Sequence, residues 1–498
     1  MLLKNVTERA DELYVIDGAV RLTVADIARE AARWQKLLQR HGVAEGDVVL
    51  VQLPNRWEII AILHAIWGLG AIANPVTPIY RGHELGVILS LWNPKVIIAA
   101  DQSAALAQAT VSSHAGEEAP VVLDLTTTNI PDAPPPFARV PLNQDAIALL
   151  MYTSGTTGRP KGVLHTHATL IGESTSLDTV FGLEGERVFM PSPLTHITGL
   201  LYGVLMPLIT RSLVVLQDRW DPLVAMRVIE QEECDMTVGA TPFLQGLAEA
   251  YGEFERTSHL RLFICGGADI PASLVEIAET KMKTQVARTY GSTEIPTLCT
   301  VHPHSETKVR MHTEGHPIGA NRARLVSVRD GVGSLEVHGP ELFVGYADAA
   351  DNASAFAHDG WFRTGDLARI DEDGSITIVG REKDIIVRGG ENISAKEVED
   401  LLVQHPAIRD VAVVGFADTL MGERACAVVV ADGRINLQEI TRHLASFDLA
   451  VQKYPEALLA VEALPRTPSG KVQKHILREL LVGSPALEIR SLPRKKMT

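Results

Sequence analysis

Cysteine is scarce. Cys234, Cys265, Cys299 and Cys426 are the four in 498 residues, and no CxxC pair or short ligand spacing links them. A disulfide framework and a zinc site are therefore not signalled, and a reducing cytoplasm is the expected compartment. Basic excess is also lacking: 46 Lys+Arg stand against 61 Asp+Glu, a formal charge of −15. The chain as a whole does not attract nucleic acid or anionic lipid, so any phosphate site must be built locally. The start, MLLKNVTERADELYVIDG, places Lys4, Glu8 and Arg9 where a secretory signal needs its apolar core, which argues against secretion. One apolar run, Ile197 to Leu216, approaches bilayer length, but Pro207 and Arg211 interrupt it. It reads as a buried helix, a break near Pro207, and a β-branched strand SLVVL.

Apolar residues are plentiful, at 46%, and the length suits two or more domains. TVADIAREAARWQKLLQRHG shows helical spacing and stops at Gly42, and VVLVQL follows as a buried strand. The alternation recurs through WEIIAILHAIWGLGAIANPV, VIIAA, VVLDL and AIALLMYT, which predicts an α/β fold with mostly parallel sheets. NIPDAPPPFARVP, residues 129–141, reads as a proline-rich surface connector. Beyond Arg381 the elements become smaller: AKEVEDLLVQH, VAVVGFA, ACAVVVA and LQEITRHLASF alternate helix and strand. The expected division is a large N-terminal domain, 1–380, of layered sheets with helices, and a small α+β domain, 381–498.

YTSGTTGRPKG, residues 152–162, follows a strand with almost no side-chain bulk. Gly155, Gly158 and Gly162 let backbone N–H groups approach an anion, and Thr153, Ser154, Thr156 and Thr157 add hydroxyls. This is a phosphate cradle. The P-loop spacing GxxxxGK[ST] is not met, because Pro160 falls where the second glycine would be and Gly162 follows Lys161.

The loop resembles the signature of the AMP-forming adenylate-forming enzymes, the superfamily of acyl-CoA synthetases, nonribosomal adenylation domains and luciferases. TYGSTE at 289–294, GWFRTGDLA at 360–368, GREKDIIVRGGENIS at 380–394 and PRTPSGKVQK at 465–474 come in the order that family keeps. The resemblance covers essentially the whole chain. The family usually carries more sequence before the counterpart of LYVIDGAVRLTVADI, so a late start or a trimmed chain is expected.

The resemblance implies roles residue by residue. Thr153, Ser154, Gly155, Thr156, Thr157, Gly158 and Lys161 would hold the β- and γ-phosphates of ATP. Thr293 and Glu294 would meet the α-phosphate and Mg²⁺, with Glu294 as the metal ligand. Tyr290 offers adenine an apolar face beside Gly291 and Ser292, and Gly266, Gly267 and Ala268 let the base lie near backbone. Asp366 would bind the ribose, helped by Arg381. Lys471 is the counterpart of the catalytic lysine that bridges carboxylate and α-phosphate as charge moves between them. The family's C-terminal domain is mobile and swings after adenylation, with Lys383 at the hinge and Gly389 and Gly390 beside the CoA tunnel. His196 stands with the catalytic set as a gate to the acyl pocket, binding more than acid or base. The pairs His165/His167 and His302/His304 lack a completing carboxylate and read as structural or surface.

The acyl pocket is expected from Ile197 and Thr198 of HITGLLYG, from Gly239, Ala240 and Thr241 of VGATPFLQ, and from CGGAD. These segments are overwhelmingly small or apolar, which disfavours an amino-acid substrate and favours a medium-chain fatty, alicyclic or aryl monocarboxylate. HITGLLYGVLMP and GATPFL look most like the cyclohexanecarboxylate and medium-chain ligase branch. The expected reaction forms an acyl-adenylate and then an acyl-CoA, AMP and pyrophosphate. The alternative is a stand-alone adenylation enzyme that loads a carrier protein's phosphopantetheine. Expected partners are the acid, ATP and CoA, with no nucleic acid, no integral membrane segment, and a homodimer allowed. A binding module without activity is disfavoured because Lys471, Glu294 and the whole phosphate loop are present.

Overall fold

The computed structural model describes residues 1–498 except 115–118, 133–135, 142, 154–159, 254–256, 268–269, 389–390, 419–420, 448, 450, 468–469, 483–487 and 490–498. The chain packs as two compact units, Met1–Arg322 with His338–Phe362, and Ala323–Val337 with Arg363–Thr498. Residue 381, the boundary expected from the sequence, lies inside the second unit at the end of the strand Ile376–Arg381.

In the first unit the described strands form a nine-stranded and a seven-stranded sheet. Their centres are parallel and antiparallel pairs lie towards their edges. The strands read as continuous apolar runs because both faces are covered. Met236 and Val238, Leu262 and Ile264, Val49 and Val51 all join one large core. Phe263 and Cys265 point to the core beyond the first sheet, and Leu50 and Ile97 to the core beyond the second. The large core also takes in the helices Val24–Arg40 and Trp57–Gly68. Trp57–Gly68 is apolar nearly all round, as a helix buried on every side must be. Val24–Arg40 starts where Thr23 and Asp26 cap each other reciprocally. Described residues of the proline-rich connector are held on that helix: Gln35 Nε2 donates to the Ala138 carbonyl at 2.8 Å and Arg33 Nε to the Pro131 carbonyl at 2.8 Å.

The break expected at Pro207 is absent. Ile197–Leu200 runs into a π-helical turn, Leu201–Leu205, and then Met206–Thr210, and the helix ends at Arg211 with φ 59°. The wider turn lets Pro207 fall in the first turn of the last segment, where no N–H is required of it. The strand Leu213–Leu216 follows as expected. Among the described residues no helix is long and apolar enough to cross a membrane.

The second unit holds a four-stranded and a six-stranded sheet among its described residues. The long hairpin of Ile408–Asp418 with Gly422–Ala431 is buried on both faces. Ala425, Ala427 and Val429 pack toward the helices Ala395–Leu402 and Leu437–Ala445, while Cys426, Val428 and Val430 pack toward Lys474–Leu481.

His64, on Trp57–Gly68, is 6% exposed with its ring edge-on to Trp67, and its Nε2 has no hydrogen-bond partner. Burial holds its pKa down to about 3. A histidine kept neutral in the fold costs stability below its unfolded pKa of about 6.5, because the unfolded chain takes the proton first. His64→Leu is expected to raise stability by about 1 kcal/mol at neutral pH and to lessen the loss between pH 6.5 and pH 3. Denaturant titrations across that range check both effects.

Candidate active site

Parallel strands of an open sheet deliver their C-terminal ends to one edge, where ligands bind in α/β folds. In the nine-stranded sheet, Arg187–Met190, Met236–Gly239, Leu262–Cys265 and Gln285–Tyr290 are neighbours running in one direction. Their C-terminal ends lead into residues 191–196, 239–241, 266–267 and 290–294, the segments in which the motifs place nucleotide and acid. Gly266 N–H donates to the Gly239 carbonyl at 3.2 Å, so two of those segments are directly joined. His196 is half-buried at the start of Ile197–Leu200, and Ile197 and Thr198 follow it in that first turn. The segment before it is anchored by Asn55, whose Oδ1 accepts from Leu194 N–H at 2.7 Å and whose Nδ2 donates to the Ser192 carbonyl at 2.9 Å.

The turn after Tyr290 is tight. Ser292 N–H donates to the Ile295 carbonyl and Leu298 N–H to the Tyr290 carbonyl, both at 2.9 Å. A Cβ on Gly291 would lie 2.0 Å from the Pro296 carbonyl oxygen, so only glycine fits. Three contacts seat the turn. His165 Nε2 donates to the Thr293 carbonyl at 2.7 Å, with its Nδ1 3.0 Å from Thr169 Oγ1. Phe343 N–H donates to the Glu294 carbonyl at 2.7 Å, and Asn321 Nδ2 to the Thr297 carbonyl at 3.2 Å. His165 is fully buried, and burial holds its pKa down to about 4, so the ring is neutral at pH 7. Its structural role agrees with the reading of that histidine pair, and His302 and His304 are exposed.

The phosphate loop belongs to the seven-stranded sheet. Ile147–Thr153 and Lys161–Thr166 pair antiparallel with Thr153 opposite Lys161, so the loop is the connection of a hairpin. Ser154, Gly155, Thr156, Thr157 and Gly158 lie outside the described residues, as do Ala268, Gly389 and Gly390. Lys161 Nζ is 3.2 Å from Asp351 Oδ1 and 4.8 Å from the centre of the Tyr346 ring. The Tyr346 hydroxyl donates to Glu294 Oε1 at 2.7 Å. Lys161 and Glu294, from different sheets, are therefore joined through one phenol. Tyr346 and Asp351 carry no sequence signal of their own, because LFVGY resembles a core strand and Asp351 a helix start. Gly345–Tyr346 does pair with Lys161–Thr166, and that pairing aims the ring.

In the second unit Asp366 is 5% exposed and its Oδ1 is 3.0 Å from Arg381 Nε, on the paired strand. Lys383 lies in the short 3₁₀ turn Glu382–Asp384. Lys471 sits in a closed turn: its N–H donates to Thr467 Oγ1 at 3.1 Å, its carbonyl accepts from Thr467 N–H at 2.8 Å, and Arg466 braces the turn on Asp410 at 2.7 Å.

A strand-edge site with a hydroxyl-rich loop, a buried carboxylate and a lysine is built for a nucleotide polyphosphate, and comparison with known proteins agrees. Residues 2–347 match the family described as AMP-binding enzyme, and residues 397–471 its C-terminal domain. The chain belongs to the AMP-binding enzyme family. It is 33% identical to the medium-chain fatty-acid–CoA ligase of Escherichia coli (strain K12), covering 94% of this chain and 88% of the ligase. Among solved structures it resembles ATP-bound MatB from Rhodopseudomonas palustris, with TM-score 0.86, 28% identity, and 96% and 98% of the two chains covered. The o-succinylbenzoate CoA synthetase (MenE) of Bacillus subtilis, in complex with its acyl-adenylate intermediate, gives TM-score 0.86 at 26% identity over 99% of both chains. The α/β fold with mostly parallel sheets is that of these two-domain enzymes.

In this AMP-binding enzyme Gly291→Ala is expected to displace the turn at 290–294. Acid-dependent ATP–pyrophosphate exchange should fall about a hundredfold while stability falls by about 1–3 kcal/mol, as exchange assays and denaturation curves would register.

Proposed function

We infer that this AMP-binding enzyme is an AMP-forming acid–CoA ligase that activates a hydrophobic monocarboxylate. Carboxylate and ATP give an acyl-adenylate and pyrophosphate; the CoA thiol then displaces AMP. The observation that carries the reading is the linkage Lys161–Tyr346–Glu294, which brings a cation at the foot of the phosphate loop and a carboxylate into one contact set. Attack on a polyanion by a weak nucleophile needs charge neutralised before it needs acid or base.

Glu294 suits Mg²⁺. Among the described residues no cluster of three His, Cys, Asp or Glu forms a protein cage. A single carboxylate whose second oxygen is left to the ion, with phosphate oxygens and water completing the shell, is ordinary for this metal. The bound ion would supply charge neutralisation at the phosphates. Thr153 to Gly158 and Lys161 grip the β- and γ-phosphates, Thr293 the α-phosphate, Tyr290 and the segment 266–268 the adenine, and Asp366 with Arg381 the ribose. Lys471 stabilises the charge that develops between carboxylate and α-phosphate, and His196 separates the nucleotide from the acyl group.

The two half-reactions call on different segments: Lys471 for adenylation, and Gly389 and Gly390 for the pantetheine arm, with Lys383 as pivot. The acid is read as medium-chain, alicyclic or aryl because Ile197, Thr198 and Gly239 to Thr241 present small or apolar groups at the strand ends. The Escherichia coli relative is named for medium-chain fatty acids, while others are named for sulfoacetate and 2-succinylbenzoate, so pocket residues decide the acid. Transfer to a carrier protein is not favoured by relatives named as CoA ligases.

Lys471→Ala is expected to lower acyl-adenylate formation by about a thousandfold and leave thioester formation from supplied acyl-AMP nearly intact. Equal loss in both steps would remove the proposed division of labour. Tyr346→Phe keeps the ring beneath Lys161 and removes the donor to Glu294. It should lower kcat/KM for MgATP about tenfold to a hundredfold with little change in the acid's KM, and Tyr346→Leu should cost more. Steady-state kinetics in ATP and in acid separate these outcomes.

A further inference from the structure

Behind the catalytic turn lies a pair of carboxyl groups that the reaction does not use. Glu173, on the helix His167–Phe181, has 0% exposure and Glu341 has 1%. Among the described residues neither is in an ion pair. Each Glu341 oxygen already accepts one hydrogen bond: Ser176 Oγ donates to Oε1 and Asn321 Nδ2 to Oε2, the latter at 2.7 Å. Glu173 is the opposite. Its polar neighbours are Thr297 and the Glu341 carboxyl, and neither of its oxygens accepts a well-formed hydrogen bond. Among the described residues the buried Tyr202 hydroxyl of the π-helical turn also faces it, and burial keeps that hydroxyl neutral. Gly319 leaves room for the Ser176–Glu341 contact, since a Cβ there would sit 2.6 Å from Glu341 Oε1.

Two adjacent carboxylates in a dry interior with no cation cannot both ionise. The hydrogen bonds say which one does: Glu341 accepts from Ser176 and Asn321, whereas Glu173 has only Thr297 as a nearby donor and no well-formed bond from it. Burial and Glu341 push the Glu173 carboxyl well above the usual carboxylate range.

We propose that Glu173 is a positioning residue for adenylation: at neutral pH it keeps its proton and donates it to Glu341, and that proton seats the turn that carries Thr293 and Glu294. Glu341 is two residues from Phe343, whose N–H holds the Glu294 carbonyl. Asn321 ties Glu341 to the Thr297 carbonyl at the other end of the turn. Loss of the proton sets two anions against each other and drives Glu341, and Phe343 with it, off the turn. The effect on activity rests on the assignment of Glu294 to the adenylation step; the protonation itself does not.

Two measurements separate these. Infrared difference spectra of the full chain, wild type against E173Q, should show a protonated carboxylic-acid C=O band at pH 7 that E173Q lacks and that bleaches at alkaline pH. Its absence from wild type at pH 7 would overturn the proposal whatever the enzyme does, and should E173Q fail to fold, the pH titration of the band in wild type alone decides. In pH profiles of ATP–pyrophosphate exchange, wild-type kcat should fall on the alkaline side by up to about tenfold per pH unit. E173Q, whose amide still donates to Glu341, should turn over at pH 7 and lose that fall, whereas E173A should lose at least about tenfold at every pH. An alkaline fall unchanged in E173Q would refute the positioning role and leave the carboxyl pair structural.

Discussion

Glu294 is held twice from one short segment: its carbonyl by the Phe343 N–H and its carboxylate by the Tyr346 hydroxyl. In the role proposed for it, offering a charged oxygen to a metal and a triphosphate, such fixing counts, because electrostatic stabilisation depends on placement before the reaction begins. Tyr346 is fixed in turn. Its backbone pairs with the strand behind the phosphate loop, and Asn352 exchanges hydrogen bonds with its N–H and C=O at 2.7 and 2.8 Å. The Glu294 carboxylate is thereby tied, through Tyr346, to the seven-stranded sheet.

A net charge of −15 makes this local construction necessary. The turn that would meet phosphate in the proposed reaction rests on His165, a ring that burial keeps neutral. Asp351 lies beside Lys161, a counter-charge that a phosphate would replace in the proposed reaction.

Much of this was legible in the chain. The strands at Val48–Gln52, Val96–Ala99 and Ile147–Thr153 and the helices Val24–Arg40 and Trp57–Gly68 appear where apolar runs and helical spacing place them, because both signals report burial directly. The motif TYGSTE lies at the C-terminal end of the strand Gln285–Tyr290. Pro207 misled because a π-turn can absorb a proline that an α-helix cannot. Tyr346, Asp351, Glu173 and Glu341 were invisible for another reason. Each draws its meaning from a partner far along the chain, 52 residues away for Tyr346 and Glu294, and pattern reading sees only neighbours. The four-stranded sheet shows the same limit: Arg322–Arg329 and Val332–His338 pair into it from well before the change in element size near Arg381.

Product analysis with ATP and a panel of fatty, alicyclic, aryl and amino acids, each with and without CoA, decides whether the site makes an acyl-CoA. Adenylation followed by thiol transfer predicts AMP, pyrophosphate and an acyl-CoA in equal amounts, CoA-dependent turnover, and preference for a medium-sized apolar monocarboxylate. ADP as product, or preference for an amino acid or dicarboxylate, would contradict it.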